Sequence, residues 1–322
     1  MHPDRRQIIA TLAGAALGAS SSAWSQSEYP GKPLRIVVGY VAGGTNDILA
    51  RLMAVELSQR LGQPVVVENR PGASAIIGAQ AVAKAAPDGY TLLLGGTGPM
   101  AFNVALYRNL PYSPGKDFAP ISMIGNFPLV LVAGPDAPAT LSALIAFSKA
   151  KPEQVNYGSS SAAFRLPTEL LKMKTGARMT HVAYKGSAEV LQGVMTGQVA
   201  VALIDPGPVS ALIRSGKLKA LAVTSAQRIP DFPDTPTLRE SGVDMNFDLW
   251  SALLAPAGTP EPIVMRLNEE VRKIVEMPSV VERMRKLTMT PDSSSPQELA
   301  RTIAADIQLW TQVARENDIS AD

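Results

Sequence analysis

Cysteine is missing from this chain of 322 residues. Its absence rules out disulfides, thiolate metal sites and cysteine nucleophiles, so an oxidising compartment leaves the chain unaffected. Histidine is nearly as scarce: beyond His2 there is only His181, set in an apolar alternation over residues 179–183 where it reads as a structural hydrogen-bonder. No Gly-x-Ser-x-Gly elbow, no phosphate loop of the Gly-x-x-x-x-Gly-Lys type and no cluster of metal-ligand residues occurs. Hydrolytic, nucleotide and metal chemistry therefore lack the groups they need, and no metal or cofactor is expected. A pairing of the serines at 159–161 with Lys185 has no supporting motif. Aromatics make up 5% of the residues and the net charge is +2, with no basic block interleaved with aromatics, which argues against nucleic acid as a partner. No apolar run reaches the roughly 20 residues that a membrane span needs.

What is present begins with the N-terminus. Arg5 and Arg6 precede a weakly apolar run over residues 8–19, followed by small residues at Ala23 and Ser25. That order predicts a cleaved export signal over 1–25, with cleavage near Ser25. The basic pair fits either the general or the twin-arginine route. The remaining chain carries 28 Lys and Arg against 27 Asp and Glu.

Beyond the signal, apolar strand runs alternate with helical periodicity almost throughout, which implies an α/β class with mostly parallel sheets. Twice in the first hundred residues an apolar strand runs into a Gly-rich turn that opens a helix, over 34–47 and 90–99. The first of these helices places Leu49, Leu52, Met53, Leu57 and Leu61 on one face. Further helices are expected from Ser74, from Thr97 and Gly98 with Pro99 at the first position, and from Ser295, whose spacing to Glu298 is a capping box. Two Pro-punctuated stretches, 117–128 and 228–250, read as passages between two lobes. Residues 26–125 and 250–322 then form lobe 1, and 126–249 lobe 2, with ligand held between them at the carboxyl ends of strands.

A helix N-terminus presents unpaired N–H groups and about half a positive charge, so two such ends beside one sheet make a socket for a carboxylate. Gly43 and Gly44 leave those amides unobstructed, unless they serve only as a tight turn. Asp47 reads either as a first-turn helix stabiliser or as a partner for a ligand ammonium or hydroxyl. Ser159, Ser160 and Ser161 read as N-caps or as hydroxyl donors from lobe 2. Asp205 ends a buried strand and is expected to face the crevice. Arg165 reads as a solvated surface residue, with pairing to a distal carboxylate as the alternative. The run Gly96-Thr-Gly-Pro-Met-Ala101 nominally fits a dinucleotide fingerprint, but no strand-end acid follows it.

Several ordered segments resemble one known family. They are Tyr29-Pro-Gly-Lys-Pro-Leu-Arg-Ile-Val-Val, Gly43-Gly-Thr-Asn-Asp-Ile-Leu-Ala-Arg51, Gly62-Gln-Pro-Val-Val-Val-Glu-Asn-Arg-Pro-Gly72, Pro87-Asp-Gly-Tyr-Thr-Leu-Leu-Leu94, Asp117-Phe-Ala-Pro-Ile121, His181-Val-Ala-Tyr-Lys-Gly186 and Ala255-Pro-Ala-Gly-Thr-Pro260. The chain resembles the Bug-type receptors, periplasmic substrate-binding proteins of tripartite tricarboxylate transporters. The resemblance implies a two-lobed type II periplasmic-binding-protein fold and a small carboxylated solute, passed to membrane permease subunits. It implies that the loops at 40–47 and 97–103 hold a ligand carboxylate, with Tyr40, Thr97, Gly98 and Asn103 among the contacts. Residues after the serines, Phe164 included, and Asp205 then close from lobe 2. Two departures stand where specificity is set. The loop Gly39-Tyr-Val-Ala-Gly-Gly44 lacks the family's two prolines and carries Tyr where Phe is usual. The serine loop has Ala162, Ala163 and Pro167 where a Gly pair and a His are common, and adds Phe164 and Arg165. A ligand-sensing co-receptor and an exported hydrolase are the alternative functions.

Overall fold

The computed structural model describes residues 29–321. Its strands are β1 (Leu34–Val38), β2 (Val65–Asn69), β3 (Thr91–Gly96), β4 (Phe118–Phe127), β5 (Val130–Ala133), β6 (Asn156–Ser159), β7 (Thr180–Ala183), β8 (Val201–Ile204), β9 (Lys219–Val223), β10 (Leu249–Pro256) and β11 (Thr290–Pro291). They form two sheets, one in the order β11-β4-β10-β3-β1-β2 and the other in the order β7-β6-β8-β5-β9. The helices are α1 (Thr45–Leu61), α2 (Ile76–Ala83), α3 (Asn103–Leu106), α4 (Pro114–Asp117), α5 (Leu141–Ala150), α6 (Ala162–Thr175), α7 (Ser187–Met195), α8 (Pro206–Arg214), α9 (Glu261–Val275), α10 (Pro278–Lys286) and α11 (Pro296–Glu316). The export signal expected over 1–25 lies outside the described residues.

Ile36–Val38 of β1 and Leu92–Leu94 of β3 are unbroken, buried apolar runs because helices cover both faces of their sheet there, leaving no solvated side to demand alternation. On one face α1 buries Leu49, Leu52, Met53 and Leu57 against Ile36, Leu92 and Leu94, with Leu267 and Val271 of α9 beside them. On the other, Ala79 and Val82 of α2 and Leu299 and Ile303 of α11 pack on Val37, Leu93 and Trp250. Gly62 ends α1 at φ 67°, a left-handed conformation that only glycine adopts without strain. The capping box at the start of α11 is formed in both directions between Ser295 and Glu298.

The sheets are mixed rather than mostly parallel. β1 runs parallel to β2 and β3, and β6 parallel to β7 and β8, as alternating strands and helices require. β10 is antiparallel to both β3 and β4, and β5 antiparallel to both β8 and β9. β5 follows directly from β4 of the first sheet, and β10 follows a chain that has just left the second. Each therefore enters its sheet from the other one, without a helical crossover to turn it parallel. The two sheets share an apolar seam: Trp310 of α11 packs edge-on against Phe102 at 5.1 Å and Phe247 at 5.8 Å, in one cluster with Leu129, Tyr157 and Leu166.

Two elements begin differently from the sequence expectation. α2 starts at Ile76, not Ser74, because Ala73, Ser74 and Ala75 all have positive φ and cannot enter a right-handed helix. The chain is bent there by close packing of its neighbours. A Cβ on Gly78 would stand 2.8 Å from the Gly39 Cα, and one on Gly39 would stand 2.5 Å from the Ala75 Cβ. After β3 the chain turns at Thr97 into a π-helical segment, Gly98–Phe102, before narrowing to α3. Such wide turns recur at functional sites.

Candidate functional site

Four strand ends converge on one cleft. β1 and β3 lie side by side in the first sheet, so the turns that follow them, at 39–44 and at 97–98, are neighbours. β6 and β8 lie side by side in the second sheet, and the turns at Ser159–Ser161 and Asp205 follow them. The cleft, open to solvent, has two compartments of about 580 and 610 Å³, which meet at Tyr40, Gly98, Phe102, Ser161 and Ala163. Asn103, Ser74, Tyr107, Ser159, Ser160, Arg165 and His181 line the first. Gly44, Thr45, Asn46, Thr97, Phe164, Asp205, Trp250 and Ser251 line the second.

From the first sheet the donors are backbone amides and one phenol. Gly44 is the N-cap of α1, with extended backbone and no side chain over the first amides of the helix. A Cβ there would meet only the Val41 carbonyl, at 3.6 Å, so the space above those amides is cleft, not protein. The Tyr40 hydroxyl makes no hydrogen bond among the described residues, and burial pushes its pKa up to about 12, so it is a neutral donor. Gly98 leaves room beside it: a Cβ at that position would stand 2.8 Å from the Tyr40 hydroxyl oxygen, which would have to shift.

Thr97 and Asn103 spend part of their polarity inside the protein. The Thr97 hydroxyl accepts the Trp250 N–H at 2.9 Å, tying the β3 turn to β10. The Asn103 amide donates to the Ser74 carbonyl at 2.9 Å and to the Tyr112 hydroxyl at 3.4 Å, which leaves its oxygen uncommitted.

Gly43 and Asp47 are not brought to the cleft lining. Gly43 sits at φ 83° and donates its N–H to the Asp47 carboxylate at 2.9 Å. That carboxylate, 3% exposed, also accepts from Arg51 Nε at 3.0 Å, Arg51 Nη2 at 2.9 Å and Asn69 Nδ2 at 2.9 Å. The Arg51 hydrogen bond, together with the Gly43 and Asn69 donors, holds its pKa down at about 2. Asp47 is therefore the post that fixes the Gly-Gly loop. Its neighbour Asn46, passed over in the sequence, lines the cleft and accepts the Ser251 hydroxyl at 2.9 Å. The signal was present in the same five-residue motif, one position earlier.

From the second sheet come hydroxyls and two charges. Ser159 Oγ lies 2.7 Å from His181 Nε2, a contact across adjacent parallel strands that the sequence reading did not anticipate. Burial, and then the charge of Arg165, hold the His181 pKa below its ordinary range, so the ring is neutral at pH 7. Among the described residues no carboxylate hydrogen-bonds the ring, so a Ser–His–Asp relay is not assembled. Ser161 is the N-cap of α6 but its hydroxyl makes no capping bond, and Ala162 and Ala163 behind it line the cleft. Asp205 is likewise an N-cap without a capping bond, at the start of α8. Burial raises its pKa, and no cation among the described residues pairs with it.

Comparison with known proteins agrees with this architecture. The model of the tripartite tricarboxylate transporter family receptor matches residues 49–319. Protein BugT of Bordetella pertussis is 38% identical over 310 residues, covering 95% of this chain and 94% of that protein. Among solved structures, R. palustris Rpa4515 with adipate is 36% identical at a TM-score of 0.76, covering 91% of this chain and 99% of that one. MatC from Rhodopseudomonas palustris with bound malate is 32% identical at a TM-score of 0.72, covering 88% and 99%. The chain has the two-lobed periplasmic-binding-protein fold, and it belongs to the family of tripartite tricarboxylate transporter receptors.

Proposed function

We propose that this receptor captures a small carboxylate between its two sheets, which act as lobes spanning 26–125 with 250–322 and 126–249. The observation that carries the reading is the pair of adjacent strand–helix turns whose open amides and free Tyr40 hydroxyl face one cleft. Solved relatives with adipate and with malate support a carboxylic acid as the ligand class. The helix end at Gly44 and the π-helical start at Gly98 would meet the carboxylate, and Tyr40 would donate to it. Tyr40, Gly44, Thr97, Gly98, Asn103, Ser159, Ser160, Ser161, Phe164 and Asp205 are the proposed contacts, with Gly43 and Asp47 holding the loop from behind. Asp205 favours a ligand that also carries a hydroxyl or an ammonium.

Binding would select the closed arrangement of the lobes, because only there do both sets of donors reach the solute. The chain would be exported, lose residues 1–25 near Ser25, and deliver its solute to permease subunits without chemical change. Gly44→Val tests the socket. Its side chain would occupy the space over the amides while its backbone stays in a region open to valine. We expect the variant to fold normally and to lose carboxylate binding in titration calorimetry. Unchanged affinity would remove the socket from the account.

A further inference from the structure

The segment that follows α11 belongs to the cleft. Ile319, Ser320 and Ala321 line its first compartment, beside Leu106 and Tyr107. They reach it because α11 ends in a tight reversal. Asp318 takes a left-handed conformation, φ 48°, and the Ile319 N–H returns to the Ala314 carbonyl at 2.9 Å. That is the long bond of a Schellman turn, with Asp where glycine is usual and an apolar residue next to it. Ile319 is accordingly buried, in the cluster that holds Phe102 and Leu106 together with Leu166 and Leu170 of α6.

Two further contacts tie this stretch to both sides of the cleft. The Ala321 N–H donates at 3.0 Å to the carbonyl of Leu106, the last residue of α3. A carbonyl at a helix end has no partner within the helix, so the bond fills a vacant acceptor. On the other side, Asn317 Nδ2 stands 3.2 Å from Met173 Sδ of α6. Ser320 is exposed, so its side chain has room to grow.

Gly98 opens the π-helical segment and Leu106 closes α3, and both line the compartment. At about 1.5 Å of rise per residue, that run separates them by about 10 Å. A carboxylate held at Tyr40 and Gly98 therefore has residues 319–321 about that far from it, across the compartment. Leu106, Tyr107 and Ala321 present no charge at that end.

We infer that residues 319–321 form the end wall of the first compartment and set the length of carbon chain that the receptor accepts. The inference rests on the proposed carboxylate cleft and adds a size limit to it. Methylenes that fit short of the wall gain from leaving water, whereas a chain that overruns it must displace packed protein or stay outside.

Titration calorimetry on the purified protein tests this with butanoate, hexanoate, octanoate and decanoate, and with adipate and malate as further probes. In the wild type, affinity across the four linear acids should rise with chain length and then fall by about tenfold over one two-carbon step. Truncation after Asn317 removes the wall and should move that fall to a longer acid or abolish it. Ser320→Trp adds bulk at an exposed position of the wall and should move the fall to a shorter acid. Melting curves check folding, and Ser320→Trp keeps the test decisive if the truncated chain does not fold. A fall that stays at the same acid in either folded variant, or none in the wild type, would overturn the end wall and leave the carboxylate cleft standing. An equal loss for all four acids in Ser320→Trp would overturn it too, because a wall acts only on chains long enough to reach it. A wild type that binds none of the six probes would overturn both.

Discussion

Replacing Asp47 by Asn separates a loop-holding role from a ligand-binding one. The carboxylate gathers Gly43 N–H, Asn69 Nδ2 and the Nε and Nη2 donors of Arg51 within 2.9–3.0 Å. Asparagine keeps the shape and one oxygen but exchanges the other for a donor, which then faces donors. A lost hydrogen bond to a buried charged group, with its partner left unsatisfied, costs about 1.5–3 kcal/mol. The Arg51 side chain is 54% exposed, so its ion pair adds no more than about 1 kcal/mol. The variant should lose about 2–3 kcal/mol at pH 7, read by urea unfolding with tryptophan fluorescence.

The pH dependence gives a second check. The folded pKa of Asp47 is lowered to about 2, below its unfolded value. Its charge therefore stabilises the fold fully above about pH 5, and that contribution fades as the pH falls towards the folded value. The gap between wild type and variant should narrow over the same interval. Ligand affinity should fall modestly, because the loop carrying Tyr40 and Gly44 is loosened rather than removed. Equal stability at pH 7 together with abolished binding would refute the reasoning and turn Asp47 towards the ligand.

Thr97→Val leaves the buried Trp250 N–H without its acceptor and should cost about 1–3 kcal/mol in urea unfolding; no loss would mean that β10 does not depend on that bond. Asp205→Asn should leave the melting temperature at pH 7 unchanged or raised, since burial makes the charge costlier in the folded state than in the unfolded one. Any gain should disappear at acidic pH, where the wild-type carboxyl is protonated in both states. The same variant should bind hydroxyl- or ammonium-bearing acids about tenfold more weakly, and equal affinity would make Asp205 purely structural.

Local signals in the sequence were strong where structure is local. The apolar face of α1 and the Ser295–Glu298 box are short-range patterns, and each is formed as read. The two strand–helix turns were visible for the same reason. Direction was harder: nothing in the β5 or β10 runs says that they enter antiparallel, because that follows from where the chain has come from. The left-handed run at Ala73–Ala75 and the π-helical turn at Gly98 were hidden because tertiary packing imposes them on residues with no such preference. At the site, sequence could nominate Asp47 but not show that Arg51, Asn69 and Gly43 consume its carboxylate. The Ser159–His181 contact joins residues 22 apart, and the exposure of Arg165 to the cleft depends on how α6 is docked.

The central claim is that the cleft takes a carboxylate reversibly. Its most direct test is the thermal shift of residues 26–322 against mono-, di- and tricarboxylates, amino acids and aromatic acids, with the ligand recovered and analysed afterwards. A ligand present at about a hundred times its dissociation constant adds roughly 2.7 kcal/mol of stability, enough for a shift of several degrees. The account predicts such a shift from a carboxylic acid that is recovered unchanged. A ligand consumed on incubation, or a clear shift only from solutes without a carboxylate, would contradict it.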